Sequence, residues 1–200
     1  MRLRRLAALI LTVIFLWPID GSGKTEGPTL VIISTGLGDI EISVDTERAP
    51  NTAANFLRYV TGRHYDGGEF FRTVTLDNQP NNEVKIEVIQ ARVNPERTDN
   101  RFEAIPLERT DATGIYHVDG AISMARGAPD SATSSFFICI GNQPSLDFGG
   151  ARNPDGQGFA AFGHVITGQD VVRHIQQQSA NGQQLESPIQ IDSVTVTSQE

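Results

Sequence analysis

The stretch AISMARGAPDSATSSFFICI, residues 121–140, closes on the apolar run Phe136-Phe137-Ile138-Cys139-Ile140. Successive side chains of a strand point to opposite faces, so one phenylalanine fills a core while the other needs a second apolar surface. A groove that binds something is one such surface, and a second core layer is the other. Arg72, at the end of the run Glu69-Phe70-Phe71-Arg72, is either a solvated strand-end charge or a fixed hydrogen-bond donor. Cys139 is the only cysteine, which excludes an intramolecular disulfide. Set in FFICI, it reads as a small buried hydrophobe rather than as a nucleophile, which would need exposure and a neighbouring base.

Other chemistries are excluded by spacing. GSGKT at 21–25 has the end of a phosphate-binding loop, but the pattern needs a glycine five places before Gly23, where Pro18 stands. NPDGQG at 153–158 alternates oxygen ligands as a calcium loop does, yet the closing glutamate position is His164. His64, His117, His164 and His174 show no metal-ligand spacing, and no Gly-x-Ser-x-Gly elbow occurs. No metal and no cofactor are expected.

The elements that would position these residues are short. TLVIISTGLGDIEISVD reads as two strands about a turn, and GGEFFRTVTL, VKIEVIQA, GAISMA, SFFICI, FAAFGHVI and IQIDSVTVTS as further strands. A helix is expected after Pro50, capped by Asn51 or Thr52, with Ala53, Phe56, Leu57 and Val60 on one face and Gly62 as terminator. GQDVVRHIQQQ is a second helix. DNQPNNE is a polar insert, residues 92–116 are an aperiodic loop, and GNQPSLDFGGARNPDGQG is loop by its Gly, Pro, Asn and Asp content. Many short strands with two helices imply a closed β-barrel with helical caps.

A chain of 200 residues, 38% apolar and 20% charged, suits one globular domain. The net charge of −8 argues against nucleic acid and anionic membranes as partners. MRLRRLAALILTVIFLWPID has a basic start and an apolar stretch, Leu6 to Ile19, too short for a membrane span and suited to an export signal. Residues 1–23 are therefore read as a signal peptide cleaved near Gly21-Ser22-Gly23, with an uncleaved membrane anchor as the alternative, and 24–200 as the functional domain. The location expected is periplasmic or otherwise extracytoplasmic.

From about Thr29 to Thr197 the chain resembles the cyclophilin family of peptidyl-prolyl cis-trans isomerases, especially exported bacterial members. VDTERAPNTAANFLRYV is similar to the family's first helix, FFR to the strand ending in its catalytic arginine, and VIQ to its substrate-binding glutamine segment. GAISMARGAPDSATSSFFICIGNQPSLD and FAAFGHVITGQDVVRHI match in order and spacing. The resemblance implies a mainly β fold: a closed eight-stranded antiparallel barrel capped by two α-helices, with a groove on its outer face. It implies Arg72, Phe137 and Gln90 as catalytic residues and Val88, Ala125, Arg126, Leu146 and Phe159 as substrate-binding ones. Phe136 would then face the core and Phe137 would floor a proline pocket.

Several positions depart from the family pattern. Glu87 and Val88 fall where a phenylalanine and a methionine are usual, Arg126 replaces an asparagine, Ser145 a tryptophan and Phe159 a histidine. The insert around Asp77 to Glu83 spreads Arg72 and Gln90 apart, and Ala91-Arg92 replaces a glycine pair. The implied function is isomerisation of X-Pro bonds during protein folding in the cell envelope, on proline-containing peptides and unfolded or nascent exported proteins, by a monomer. Charges at Glu87 and Arg126 in the groove would instead favour a low-activity module that binds proline segments or unfolded chains.

Overall fold

The computed structural model of the chain describes residues 29–97, 99 and 102–197, and the expected signal segment lies outside these. Every second residue, Val31, Ile33 and Thr35 of β1 (Thr29–Thr35) and Ile40, Ile42 and Val44 of β2 (Gly38–Val44), is buried, and the two strands pair as the hairpin expected. The further strands are β3 (Glu69–Val74), β4 (Val88–Arg92), β5 (Ala121–Met124), β6 (Phe136–Cys139) and β7 (Ala160–Thr167), of which β5 and β6 are buried at every position. The long β9 (Gln184–Thr197) is turned back on the two-residue β8 (Ala180–Asn181). The sheet order is β1-β2-β7-β5-β6-β4-β3-β9, and β9 pairs back onto β1. Every pairing is antiparallel, so eight strands close a barrel and β8 is a short flap outside the ring. Closure removes the free edges that an open sheet would expose.

The interior is filled from strands and helices alike. Phe56 of α1 (Pro50–Thr61) packs edge-on to Phe136 at 5.6 Å and tilted to Phe162 at 5.1 Å, which plugs the barrel. Val172 and Ile175 of α3 (Gln169–Gln176) complete the same core. These are the two helices expected, and the described residues add only a one-turn α2 (Thr110–Thr113) inside the aperiodic loop.

Two local expectations need correction, and a third holds with a difference in detail. The cap of α1 is neither Asn51 nor Thr52: Ala49 occupies that position, without a side-chain cap. Instead the Glu108 carboxylate, from the aperiodic loop, accepts from the Asn51 and Thr52 backbone N–H groups at 3.0 and 2.7 Å. It also accepts from the Asn51 amide at 2.9 Å and the Thr52 hydroxyl at 2.6 Å. A negative charge at this end also opposes the helix dipole favourably. At the other end Gly62 does close the helix, but the left-handed residue is Arg63, with φ 55°. Gly62 is needed for space, because a Cβ there would stand 2.6 Å from the His64 ring.

The second correction concerns VKIEVIQA, of which only Val88 onward is strand. Ahead of it, the buried Gln79 side chain takes the place of a neighbouring strand. Its amide donates to the Ile86 carbonyl at 2.8 Å and its oxygen accepts from the Ile86 N–H at 3.3 Å. Paired in this way, the polar insert folds onto the barrel wall instead of extending the sheet.

Removing the Glu108 carboxylate leaves the first N–H groups of α1 to water alone. Glu108→Ala is therefore expected to cost about 0.5–2 kcal/mol, the usual worth of a helix cap. Thermal unfolding followed by circular dichroism should show a midpoint lower by a few degrees, with native secondary structure before the transition.

Candidate active site

The register of four strands places the site. Arg72 of β3 pairs with Gln90 of β4, Gln90 with Phe137 of β6, and Phe137 with Ser123 of β5. Directly opposed residues share a face, so these four side chains form one row across the outside of the barrel. One step along, Val74, Val88 and Cys139 form a parallel apolar row. Phe136 and Ile138 point the other way, into the main core, whereas Phe137 and Cys139 belong to a second, smaller cluster with Val74, Ile86, Val88, Ala121 and Leu146. The paired phenylalanines thus serve two cores. Cys139 is fully buried, and burial pushes its thiol far up, so it is packing material rather than a nucleophile.

The second core is roofed only in part. Above it lies a groove of about 210 Å³ whose lining includes all eight residues expected from sequence: Arg72, Val88, Gln90, Ala125, Arg126, Phe137, Leu146 and Phe159. Phe137 is 5% exposed and meets Phe159 edge to face at 5.4 Å, which makes an aromatic corner. Leu146 enters from a 3₁₀ turn, Pro144–Leu146, whose carbonyl accepts from the Phe159 N–H at 2.9 Å. Ala125, with its N–H bonded to the Ser135 carbonyl at 2.8 Å, gives a rim without bulk.

Arg72 is half-buried at this apolar floor, and its guanidinium is held by neutral amides. Nη1 donates to Gln90 Oε1 at 2.7 Å, while Nε and Nη2 donate to Gln183 Oε1 at 3.0 and 2.5 Å. Gln183 sits in the β8–β9 turn, and its own amide donates to the Asn78 carbonyl at 3.3 Å. Burial, followed by repulsion from Arg152, holds the Arg72 pKa below that of a free guanidine. The fork is thus oriented without being neutralised.

Beneath the floor, the buried His117 ring stacks on Phe137 at 5.9 Å, 14° from parallel. Its Nδ1 lies 2.7 Å from Asp147 Oδ1 and its Nε2 2.9 Å from the Ser123 hydroxyl. A carboxylate can only accept, so in the neutral ring Nδ1 donates to Asp147 and Nε2 accepts from Ser123. Sequence spacing offered no role for His117. Its place under Phe137 is set by strand register and a loop contact 30 residues away.

Two departures expected to charge the groove do not. Glu87 lies outside the lining and accepts from the Gln176 amide of α3 at 3.2 Å; Ile86 takes the wall position instead. Arg126 lines the groove, but its side chain is only 1% exposed and is pinned to Asp155 by two bonds of 2.8 and 3.0 Å and to the Gly158 carbonyl at 2.7 Å. Its guanidinium lies over the Phe159 ring, 5.0 Å from the centroid. NPDGQG is accordingly a loop clamped by Arg126. Ile86, Arg152 and Asn153 line the groove without having been anticipated, and Gln183, outside the lining, holds Arg72 from behind. The Asn181-Gly182 pair, a hairpin signal, could have revealed the turn that carries Gln183.

The family model for cyclophilin type peptidyl-prolyl cis-trans isomerase/CLD matches residues 30–196. The chain belongs to the cyclophilin family. Peptidyl-prolyl cis-trans isomerase A of Dickeya dadantii is 30% identical over 175 residues, covering 87% of this chain and 85% of that protein. A peptidyl-prolyl cis-trans isomerase of Acinetobacter baylyi is 35% identical over 148 residues, covering 74% of this chain and 71% of the relative. Among solved structures, a cyclophilin type isomerase of Cryptosporidium parvum superposes with a TM-score of 0.69 at 18% identity, covering 86% of this chain and 99% of that one. That likeness shows the shared fold. As a cyclophilin, the chain is a peptidyl-prolyl isomerase built on the barrel that its sequence implies.

The His117 network is tight enough to test. In His117→Ala the buried Ser123 hydroxyl loses its partner, at a cost of about 1–3 kcal/mol for an unsatisfied buried group, while the partly exposed Asp147 keeps only the backbone N–H of residue 117 at 3.0 Å. The expected outcome is a clearly lowered thermal midpoint together with a raised KM for proline peptides, because Phe137 loses its backing ring.

Proposed function

We propose that this cyclophilin accelerates cis–trans exchange of X-Pro bonds in unfolded and nascent exported proteins of the cell envelope, with Arg72 as the catalytic donor. The barrier, about 18–20 kcal/mol, comes from amide resonance. It makes prolyl exchange slow enough to limit folding. Lowering it requires neither nucleophile nor metal: the twisted bond must be held more tightly than either planar form. As the bond twists, the prolyl nitrogen regains its lone pair and can accept a hydrogen bond. The observation that carries the reading is the Arg72 fork, fixed by Gln90 and Gln183 beside an apolar floor. Three of its five N–H groups are spent on those amides, which leaves two for a substrate. Phe137, Leu146, Val88 and Ile86 seat the ring, Phe159 and Ala125 bound it, and Gln90 holds the flanking chain.

A related protein supports the substrate class: a second Cryptosporidium parvum cyclophilin structure, with TM-score 0.68 and 19% identity, was determined in the presence of the dipeptide Ala-Pro. The rival reading, a proline-binding module with little turnover, rested on charges at Glu87 and Arg126. The first bonds Gln176 and the second is paired with Asp155, so neither obstructs the groove. Envelope location rests on the amino-terminal segment. The protein is proposed to work as a monomer without a cofactor.

Arg72→Ala should reduce kcat/KM at least tenfold in NMR exchange measurements on X-Pro peptides, a loss of about 1.4 kcal/mol in transition-state stabilisation. The thermal midpoint should barely move, since Gln90 and Gln183 are partly exposed and can turn to water. Unchanged activity in a folded variant would remove Arg72 from the mechanism. For the location, mass spectrometry of protein from the extracytoplasmic fraction should find a chain beginning near residue 24; a chain retaining Met1 in the membrane fraction would indicate an anchor.

A further inference from the structure

Arg152 reaches the groove from the loop after Leu146, and sequence patterns do not single it out. Its backbone N–H donates to the Ser145 carbonyl at 3.1 Å, which seats it on the position where the family resemblance implies a tryptophan. Its Nη1 donates to Gln79 Oε1 at 2.9 Å and to the Val84 carbonyl at 2.7 Å. Both acceptors are neutral. The Arg72 acceptors are neutral as well, and no carboxylate of the described residues lies within ion-pair distance of either guanidinium. No Asp or Glu lines the groove, although the chain carries 24 acidic residues against 16 basic ones.

Two partly desolvated like charges therefore share one concave site. Burial lowers both pKa values, and repulsion from Arg152 lowers that of Arg72 further, yet a guanidinium stays charged at neutral pH. A concave, low-dielectric wall focuses such a field. An extended polyanion would meet the acidic remainder of the surface, whereas a single carboxylate on a peptide would meet only the groove. Guanidinium forks match carboxylates in geometry and bind them more strongly than neutral acceptors.

From this arrangement we infer that the groove selects proline segments bearing an aspartate or glutamate within two residues of the proline, and that Arg152 is the residue that selects them. This builds on the isomerase reading by naming its substrate class. Arg72 remains with the twisting bond; Arg152, clamped to the insert by Gln79 and Val84, reads the neighbouring side chain.

The test uses matched peptide pairs that differ only by Glu or Gln, placed at each of the two positions before and after the proline. Exchange rates come from NMR and affinities from titration of the same peptides. At low salt at least one Glu peptide should exceed its Gln twin by about fivefold in both readouts, the margin of a charge-assisted bond over a neutral one. The ratio should fall as salt is raised and collapse toward one in Arg152→Gln. Ratios within about twofold for every pair in the unaltered protein would overturn the inference, and so would a ratio undiminished in a folded Arg152→Gln. Turnover of all peptides at equal rates would leave the isomerase reading standing and the acidic preference refuted. Acid-selective binding without turnover of any peptide would do the reverse.

Discussion

The structure depends on a sheet that must bury both of its faces along part of its circumference. β3, β4, β5 and β6 send one set of side chains into the barrel and the alternate set into a second cluster outside it. The inner set is sealed by Phe56 and the helices. The outer set has no second sheet to cover it, only Leu146, Phe159 and the folded insert. A pocket for a proline ring is what remains when an apolar face of this size is left partly uncovered. Groove and core are consequences of one alternation rather than separate inventions.

Polar groups around that face divide the work by charge. Amides and backbone carbonyls orient Arg72 and Arg152, and because amides carry no charge, both guanidiniums keep their full attraction for a ligand. A carboxylate is used only where a charge is to be retired: Asp155 takes Arg126, and Arg126 draws Asp155 below its usual range in return. In this groove the choice of Gln or Asp as partner separates an arginine that acts from one that holds a loop.

Much of the fold was legible in the sequence because strands and helices leave periodic traces. Alternation at Ile40, Ile42 and Val44 and short apolar runs such as 30–33 and 136–140 mark the barrel, and ordered motifs single out Arg72, Gln90 and Phe137. Legibility failed where contacts are not periodic. Glu87 was put in the groove by counting three residues back from Gln90, although period two reaches Val88 and Ile86. Arg152 and Gln183 enter from loops, Glu108 caps a helix more than fifty residues away, and His117 finds its partners across strands. Such pairs are set by closure of the barrel, which no local pattern encodes.

That closure sets the moment at which the molecule can begin to work. The ring is completed by β9 pairing with β1, the last and first described strands, and the Gln183 amide that steadies Arg72 hangs from the same terminal hairpin. Long-range pairing of this kind is slow to form and cannot be anticipated by a partial chain. As the polypeptide emerges from synthesis, it carries Arg72, Gln90 and Phe137 before Gln183 is present to steady the guanidinium. The hold on Arg72 is complete only once the terminal hairpin has taken its place in the ring.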